Sequence, residues 1–464
     1  MRILLKCPTR SRPAKVIQTL SAYMKLANRP DLLGVCVSCD VDDVSMSRNL
    51  VTNELRTTIS PAAWNGVFFS PNTTKIQACN ADMDKIEYPW DIVVLVSDDM
   101  IPQVQGYDDV IRTHMLANFP DTNGILWFND GHQKDKLNTL CIFGRKMYEE
   151  FGFIYHPNYK SLFCDTELTD QCRTTLKSRC VYIPYCIIRH EHPGTGFADQ
   201  MDALYQRNQK YWNADMYTYI SRKSYAYDWS VLIPTIPGRE RHLQALLQDL
   251  HAKKNDICPD MRMQICVDFD NKESSIGVKR QRLLQGAEGK YMSFIDDDDD
   301  VSPAYFEDLW ATIRGGFHTM RLRGQMAHYT FVHSLDVKLT DTMATLTDPP
   351  YFRRPPNHLN PMLTDVAKLI PFKNAVHGED LDWTIGLYRN NLLETQYTGN
   401  PERIHYYYNL GDRTVHPDVV TKQQATTYET MLNSIFTPAG TPMSAPPPSK
   451  QGGLRLGKNG FVSK

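Results

Sequence analysis

One pattern occurs twice in this chain, in the same order each time. An apolar strand runs into a basic or proline-punctuated loop, a helix follows, and two further strands end in acid. The first copy begins with Ile3-Leu4-Leu5-Lys6-Cys7-Pro8-Thr9-Arg10-Ser11-Arg12-Pro13 and the helical stretch Ala14 to Met24. The second begins with Val231-Leu232-Ile233-Pro234-Thr235-Ile236-Pro237-Gly238-Arg239 and a helix from His242 to about Lys253. The next strands end at Asp40 and Asp268, and the third strands end at Asp98-Asp99 and at Asp296. Strand, helix, strand, helix, strand is the grammar of a parallel α/β sheet, and two ordered copies predict duplicated domains. The expected boundaries are 1–224 and 225–436. Beyond them, 437–464 turns to Pro, Gly, Ser and Lys and is expected to be a disordered tail.

The richest stretch is Tyr291-Met292-Ser293-Phe294-Ile295 followed by five aspartates, Asp296 to Asp300. It reads as a buried strand whose C-terminal end emerges into a polar crevice, where open α/β sheets bind their ligands. Two unit charges about 4 Å apart repel by roughly 4 kcal/mol at an effective dielectric of about 20. The run therefore splays into water or gathers around a divalent cation, and carboxylate oxygens suit Mg²⁺, Mn²⁺ or Ca²⁺ better than zinc.

Composition narrows the class. A chain of 464 residues exceeds one ordinary core. Its formal net charge of −2 provides no global field to draw it onto nucleic acid or an anionic membrane. No run of about 18 apolar residues is present, and the N-terminus lacks a signal-peptide layout. Eleven cysteines are scattered without a disulfide framework, and Cys36 and Cys39 have no second pair to make a zinc site. Buried free thiols in a reducing cytoplasm are expected.

Both halves resemble the GT-A fold of family 2 glycosyltransferases, which move a sugar from a nucleotide diphosphate to an acceptor. The second half carries the resemblance through Pro234-Thr235, Ser275-Ile276-Gly277-Val278-Lys279-Arg280, the aspartate run, Asn357-His358-Leu359-Asn360-Pro361, His377-Gly378-Glu379-Asp380-Leu381-Asp382-Trp383 and Ile404-His405-Tyr406-Tyr407-Tyr408. These span nearly all of 229–410 in the family's order. The implied fold is two tandem Rossmann-like domains, each with a mixed, mostly parallel sheet, and the resemblance extends to bacteriophage-type members.

The resemblance implies roles. Asp296-x-Asp298 matches the metal motif, with Asp298 on the cation and Asp296 toward the ribose or a metal-bound water. His405 matches a late histidine that completes the metal shell in some members; a packed core residue is the alternative. Pro234, Thr235, Arg239, Asp268, Lys279 and Arg280 fall in the nucleotide site, and cations at a helix N-terminus favour phosphate. Gln281 departs from the family's asparagine. Asp380 is expected to be the general base, with Glu379 beside it and Asp382 able to exchange roles. Trp383 would stack on a sugar or belong to the core. In the first half, Pro8, Thr9, Arg10, Asp40 and Lys75 match the nucleotide site. Asp98, Asp99, His190 and His192 match the metal site, and Asp165 matches the base.

The expected donor is a nucleotide-diphosphate sugar, UDP-linked, with Mn²⁺ or Mg²⁺, and transfer inverts the anomeric centre. The acceptor is a glycan or a hydroxymethylated pyrimidine of phage DNA, in host cytoplasm if the gene is a phage's. For DNA, Arg321, Arg323, Arg353 and Arg354 would form a basic track. Three classes compete: two transferases acting in sequence, one transferase with a degenerate binding copy, and a nucleotidyltransferase. The last lacks its Gly-rich phosphate loop.

Overall fold

The computed structural model describes residues 1–191, 203–327, 329–338 and 351–409, together with two-residue strands at Arg455–Leu456 and Val462–Ser463. The expected tail otherwise lies outside the described residues. The described chain forms two compact units, one over Met1–Lys223 together with the strands Arg455–Leu456 and Val462–Ser463, and one over the described residues from Ser224 to 409.

The first unit contains strands Ile3–Thr9 (β1), Leu33–Asp40 (β2), Trp64–Ser70 (β3), Ile92–Leu95 (β4), Met100–Pro102 (β5), Ile125–Phe128 (β6), Ile142–Gly144 (β7), Cys180–Ile183 (β8) and Ile188–His190 (β9). Seven of them make one sheet in the order β3-β2-β1-β4-β7-β6-β8. β1, β2, β3 and β4 run parallel, whereas β7 is antiparallel to both β4 and β6. Alternation along the strands divides the core between the two faces. Ile3, Leu5, Val35, Val37 and Val94 pack on one side, and Leu4, Cys36, Val93 and Leu95 on the other. Burial on both faces explains why these strands are continuous apolar runs. β5 pairs with β9 in a separate ribbon, with Met100 opposite His190.

The second unit repeats the parallel centre. Its strands are Tyr227–Thr235 (β10), Met263–Phe269 (β11), Gly289–Phe294 (β12), Asp300–Val301 (β13), Thr319–Met320 (β14), Leu322–Met326 (β15), Tyr329–His333 (β16), Tyr351–Arg354 (β17), Met362–Leu363 (β18), Gln396–Tyr397 (β19) and Tyr406–Tyr408 (β20). The main sheet has the order β11-β10-β12-β18-β14-β19, with β10 parallel to β11 and β12. The second sheet, β13-β20-β15-β16-β17, rises beside the end of β12. The strand that covers β2 in the first unit, β3, has no counterpart beside β11 among the described residues. Val267 and Phe269 on β11 are accordingly exposed. In both units the two acid-ended strands flank the first strand, β1 or β10, so their acids emerge on either side of it at the C-terminal edge of the parallel centre.

Candidate active site

In the second unit the chain leaves β12 through buried Ile295 and turns at once, Asp299 N–H donating to the Asp296 carbonyl at 3.0 Å. Each aspartate of the turn meets a different fate. Asp297 is buried and accepts from Thr235 Oγ1 at 2.6 Å and Arg239 Nη1 at 2.7 Å. Asp299 is buried and accepts from Tyr406 Oη at 2.7 Å and Asn409 N–H at 2.8 Å. Asp300 enters β13 opposite Tyr407. Asp298 stays partly open, 3.1 Å from Arg239 Nη1. Asp296 lies 3.6 Å from Arg280 Nη2, and its Oδ1 is buried without a hydrogen-bond partner.

This crowding has an electrostatic signature. Burial raises the pKa of Asp296, with Asp297 and Asp380 adding to the rise against Arg280. Burial likewise raises Asp298, and lifts Asp299 well above the usual carboxylate range. Carboxylates held this way lack positive charge, and an orphaned buried oxygen lacks a partner. A divalent cation meets both needs, with Asp296 and Asp298 as the open donors. Among the described residues no group of three or more His, Cys, Asp or Glu side chains is arranged to hold a metal. A cation held by one or two carboxylates would take substrate phosphate and water as its remaining ligands.

His405 has both ring nitrogens engaged by protein groups and offers neither to a metal. Its Nδ1 accepts from Arg323 N–H at 3.0 Å and its Nε2 lies 2.9 Å from Asp308 Oδ2, so protein groups occupy both nitrogens of a buried ring. The neighbouring Tyr406, by contrast, reaches the turn, with its hydroxyl on Asp299 and 3.4 Å from Asp296 N.

The basic helix Ile276–Gly286 is tied inward. Lys279 bonds the Thr235 carbonyl and lies 3.0 Å from Asp270. Arg280 is buried between Glu379, at 2.9 Å, and Asp296. At the helix start, Gly277 N–H donates to the Ala375 carbonyl and Val278 N–H to the Ser275 hydroxyl. These two amides are therefore committed within the protein. Gln281 accepts from Phe372 N–H at 2.7 Å and so fixes a loop. Asp268 forms a two-pronged pair with Arg282 at 2.7 and 3.0 Å. Pro234 lies buried in β10.

Helix Glu379–Arg389 brings the second pair of acids. Glu379 is buried against Arg280, and burial raises its pKa. Asp380 is partly open, 3.9 Å from Arg354 Nη1 and 3.8 Å from His358 Nδ1. His358 is buried, Nδ1 has no hydrogen-bond partner, and burial drives its pKa well down. Sequence reasoning gave His358 and Arg354 no role at Asp380; the only signal was the histidine within Asn357 to Pro361. Asp382 turns away to Lys373 at 2.6 Å on the surface. Trp383 is core: it is buried, stacks on Phe372 at 4.9 Å and donates Nε1–H to the Ile370 carbonyl.

The first unit gathers a related set. Asp98 is 2.8 Å from Arg12, both side chains buried, and burial pushes its pKa up to about 6 against the pull of Arg12. Asp99 accepts from the Ser97 hydroxyl and from Tyr205 Oη at 2.6 Å, and lies 3.6 Å from His190 Nε2. Burial opposes ionisation of Asp99, yet these three partners hold its pKa below the usual range. Arg10 bridges Asp40 at 2.7 Å and Asp42. Thr9 Oγ1 and Asp40 Oδ1 are buried without partners. Lys75 opens helix Lys75–Asn80, and Asp165 lies in the first turn of Cys164–Arg173, accepting from Thr166 N–H. Pro8 lies in β1. His192 lies outside the described residues.

No protein family matches the sequence, and no curated protein does either. Among solved structures, the chain is similar to the mannosyltransferase PcManGT from Pyrobaculum calidifontis in complex with GDP-Man and Mn²⁺. The identity is 13%, over 48% of this chain and 63% of that one, with a TM-score of 0.37. It is also similar to S. aureus TarS 1–349 in complex with UDP, at 15% identity over 46% of this chain and 72% of that one, TM-score 0.29. A third is the Drosophila β-1,4-galactosyltransferase 7 mutant with manganese, UDP-Gal and xylobiose, at 11% identity over 44% and 79%, TM-score 0.28. The chain spans less than two thirds of the mannosyltransferase. The chemistry of this chain is read from its own site.

Proposed function

We propose that the second unit is a divalent-cation-dependent, inverting glycosyltransferase that moves a sugar from a nucleotide-diphosphate donor to an acceptor hydroxyl. The observation that carries this is the orphaned Asp296 Oδ1 in a carboxylate turn joined through Arg280 to the acids at the start of helix Glu379–Arg389. When bound, Mn²⁺ or Mg²⁺ at Asp296 and Asp298 neutralises the diphosphate leaving group. Arg239, half-exposed at the rim, adds positive charge for the phosphates. Asp380 accepts the proton of the attacking hydroxyl, with Arg354 and His358 lying within 4 Å of it. A single displacement at the anomeric carbon then inverts it.

A glycan acceptor fits better than DNA. Arg353 pairs with Asp336 at 3.0 Å, Arg323 pairs with Glu402, and Arg321 donates to the Pro401 carbonyl; Arg354 is the one that reaches Asp380. Four arginines that looked like one track are spent on separate partners. All eleven cysteines are free, in keeping with a reducing compartment, and no helix among the described residues is long and apolar enough to cross a membrane.

A nucleotide-sugar screen with chelator-stripped protein and added Mn²⁺ is the direct test, with glycans and hydroxymethylated DNA as acceptors and mass spectrometry of the products. Asp380→Asn should lower turnover about 10²-fold or more while leaving donor affinity by calorimetry nearly unchanged. Normal turnover at saturation with collapsed donor affinity would move Asp380 to the nucleotide site.

A further inference from the structure

The two acid turns balance their charge differently. In the second unit four carboxylates, Asp296 to Asp299, crowd one turn; among the described residues Arg239 meets Asp297 and Asp298, and Arg280 meets Asp296 and also carries Glu379. Arg239 is 41% exposed and divides one nitrogen between Asp297 and Asp298, while Asp296 Oδ1 keeps no partner.

In the first unit the arginine that follows β1 is locked in place. Arg12 is 8% exposed, and its Nη1 lies 2.8 Å from Asp98 Oδ1, itself 5% exposed. Its guanidinium lies 4.5 Å from the centre of the Tyr205 ring, and the hydroxyl of that ring bonds Asp99 at 2.6 Å. Ser97 and His190 complete the surroundings of Asp99. A cation entering here would have to expel a buried guanidinium from its carboxylate and leave it uncompensated, a large penalty.

We propose that the acid pair of the first unit, Asp98 and Asp99, works without a divalent cation because Arg12 supplies the countercharge from within the protein. One chain then binds one cation, in the second unit. The inference builds on the metal site proposed for the second unit, and the test separates the two.

Mn²⁺ titration of the full chain, followed by the electron paramagnetic resonance of free Mn²⁺ with and without UDP, counts the sites. Wild type should bind one Mn²⁺, with any second ion weaker by on the order of a hundredfold or more. The variant D296N/D298N should bind none, and D98N/D99N should still bind one. Arg12→Gln, which removes the internal charge, should raise the count to two. Two equivalent sites in wild type, loss of the only site in D98N/D99N, or a folded Arg12→Gln protein that gains no site would each overturn the proposal. No ion in wild type but one in Arg12→Gln would uphold it and remove the metal site from the second unit. Circular dichroism establishes folding. Should Arg12→Gln fail to fold, the wild-type count read with D296N/D298N decides.

Discussion

At Asp298, function and stability oppose each other. Burial raises its pKa, with Asp296 and Asp297 adding to the rise against Arg239. A folded-state pKa above the unfolded value means a contribution fully present below the unfolded value and lost as pH rises through the folded one. In chelator, Asp298→Asn should therefore raise the melting temperature at pH 7 by a few degrees, the size that about 1 kcal/mol produces in a unit of this length. The gain should vanish as pH falls below about 4, where an unfolded aspartate is also protonated. With Mn²⁺ present at pH 7 the order should reverse. Thermal melts of both proteins at pH 7 and pH 4, with and without chelator, read all of this; a variant less stable than wild type in chelator at pH 7 would refute it. The same residues mark the limit of what sequence discloses. That Asp296 to Asp300 need countercharge was legible because five like charges follow an apolar strand. Which oxygen stays open was not, because Thr235, Arg239, Tyr406 and Asn409 reach the turn from distant parts of the chain.

Among the elements, helix Ile276–Gly286 illustrates how tertiary contacts override a local rule. A helix start with Lys279 and Arg280 invites a phosphate, yet loop Lys373–Ala375 lies against it and takes the Gly277 amide. Gly277 is what permits the approach: a Cβ there would fall 1.9 Å from the Lys373 carbonyl oxygen. Gly277→Ala should cost about 1–3 kcal/mol through this backbone clash, although alanine favours helix elsewhere. A urea midpoint equal to or above wild type would mean that the loop yields freely. The long parallel strands and their helices were legible from apolar runs and turn residues. β14, β18 and β19 are two residues each and carry no periodic signal, so the far half of the main sheet, with its antiparallel pairings, stayed hidden. The scattered arginines are the functional cost of that gap. Pairing register puts Arg323, Val332 and Arg353 across from one another, with Arg354 on the alternate face.

For the whole molecule, repetition of sequence did not bring repetition of the surroundings of the acids. Both units end their central strands in acid, but the first answers that acid with buried Arg12 and the second leaves Asp296 Oδ1 open. The difference arises from neighbours that no spacing rule relates to the strands: Tyr205 after the first acid pair, and Tyr406 with helix Glu379–Arg389 after the second. A ligand that binds only the folded state protects the region whose opening would release it, by about 2.7 kcal/mol at a hundred times its dissociation constant. Hydrogen exchange read by mass spectrometry, at constant UDP, should therefore slow on adding Mn²⁺ in peptides covering 289–301 and 376–389. Peptides covering 92–102 and 180–191 should exchange at the same rate with or without the ion. Slowing at 92–102 equal to that at 289–301 would mean that both acid turns hold metal and that the units retain the same chemistry as well as the same topology.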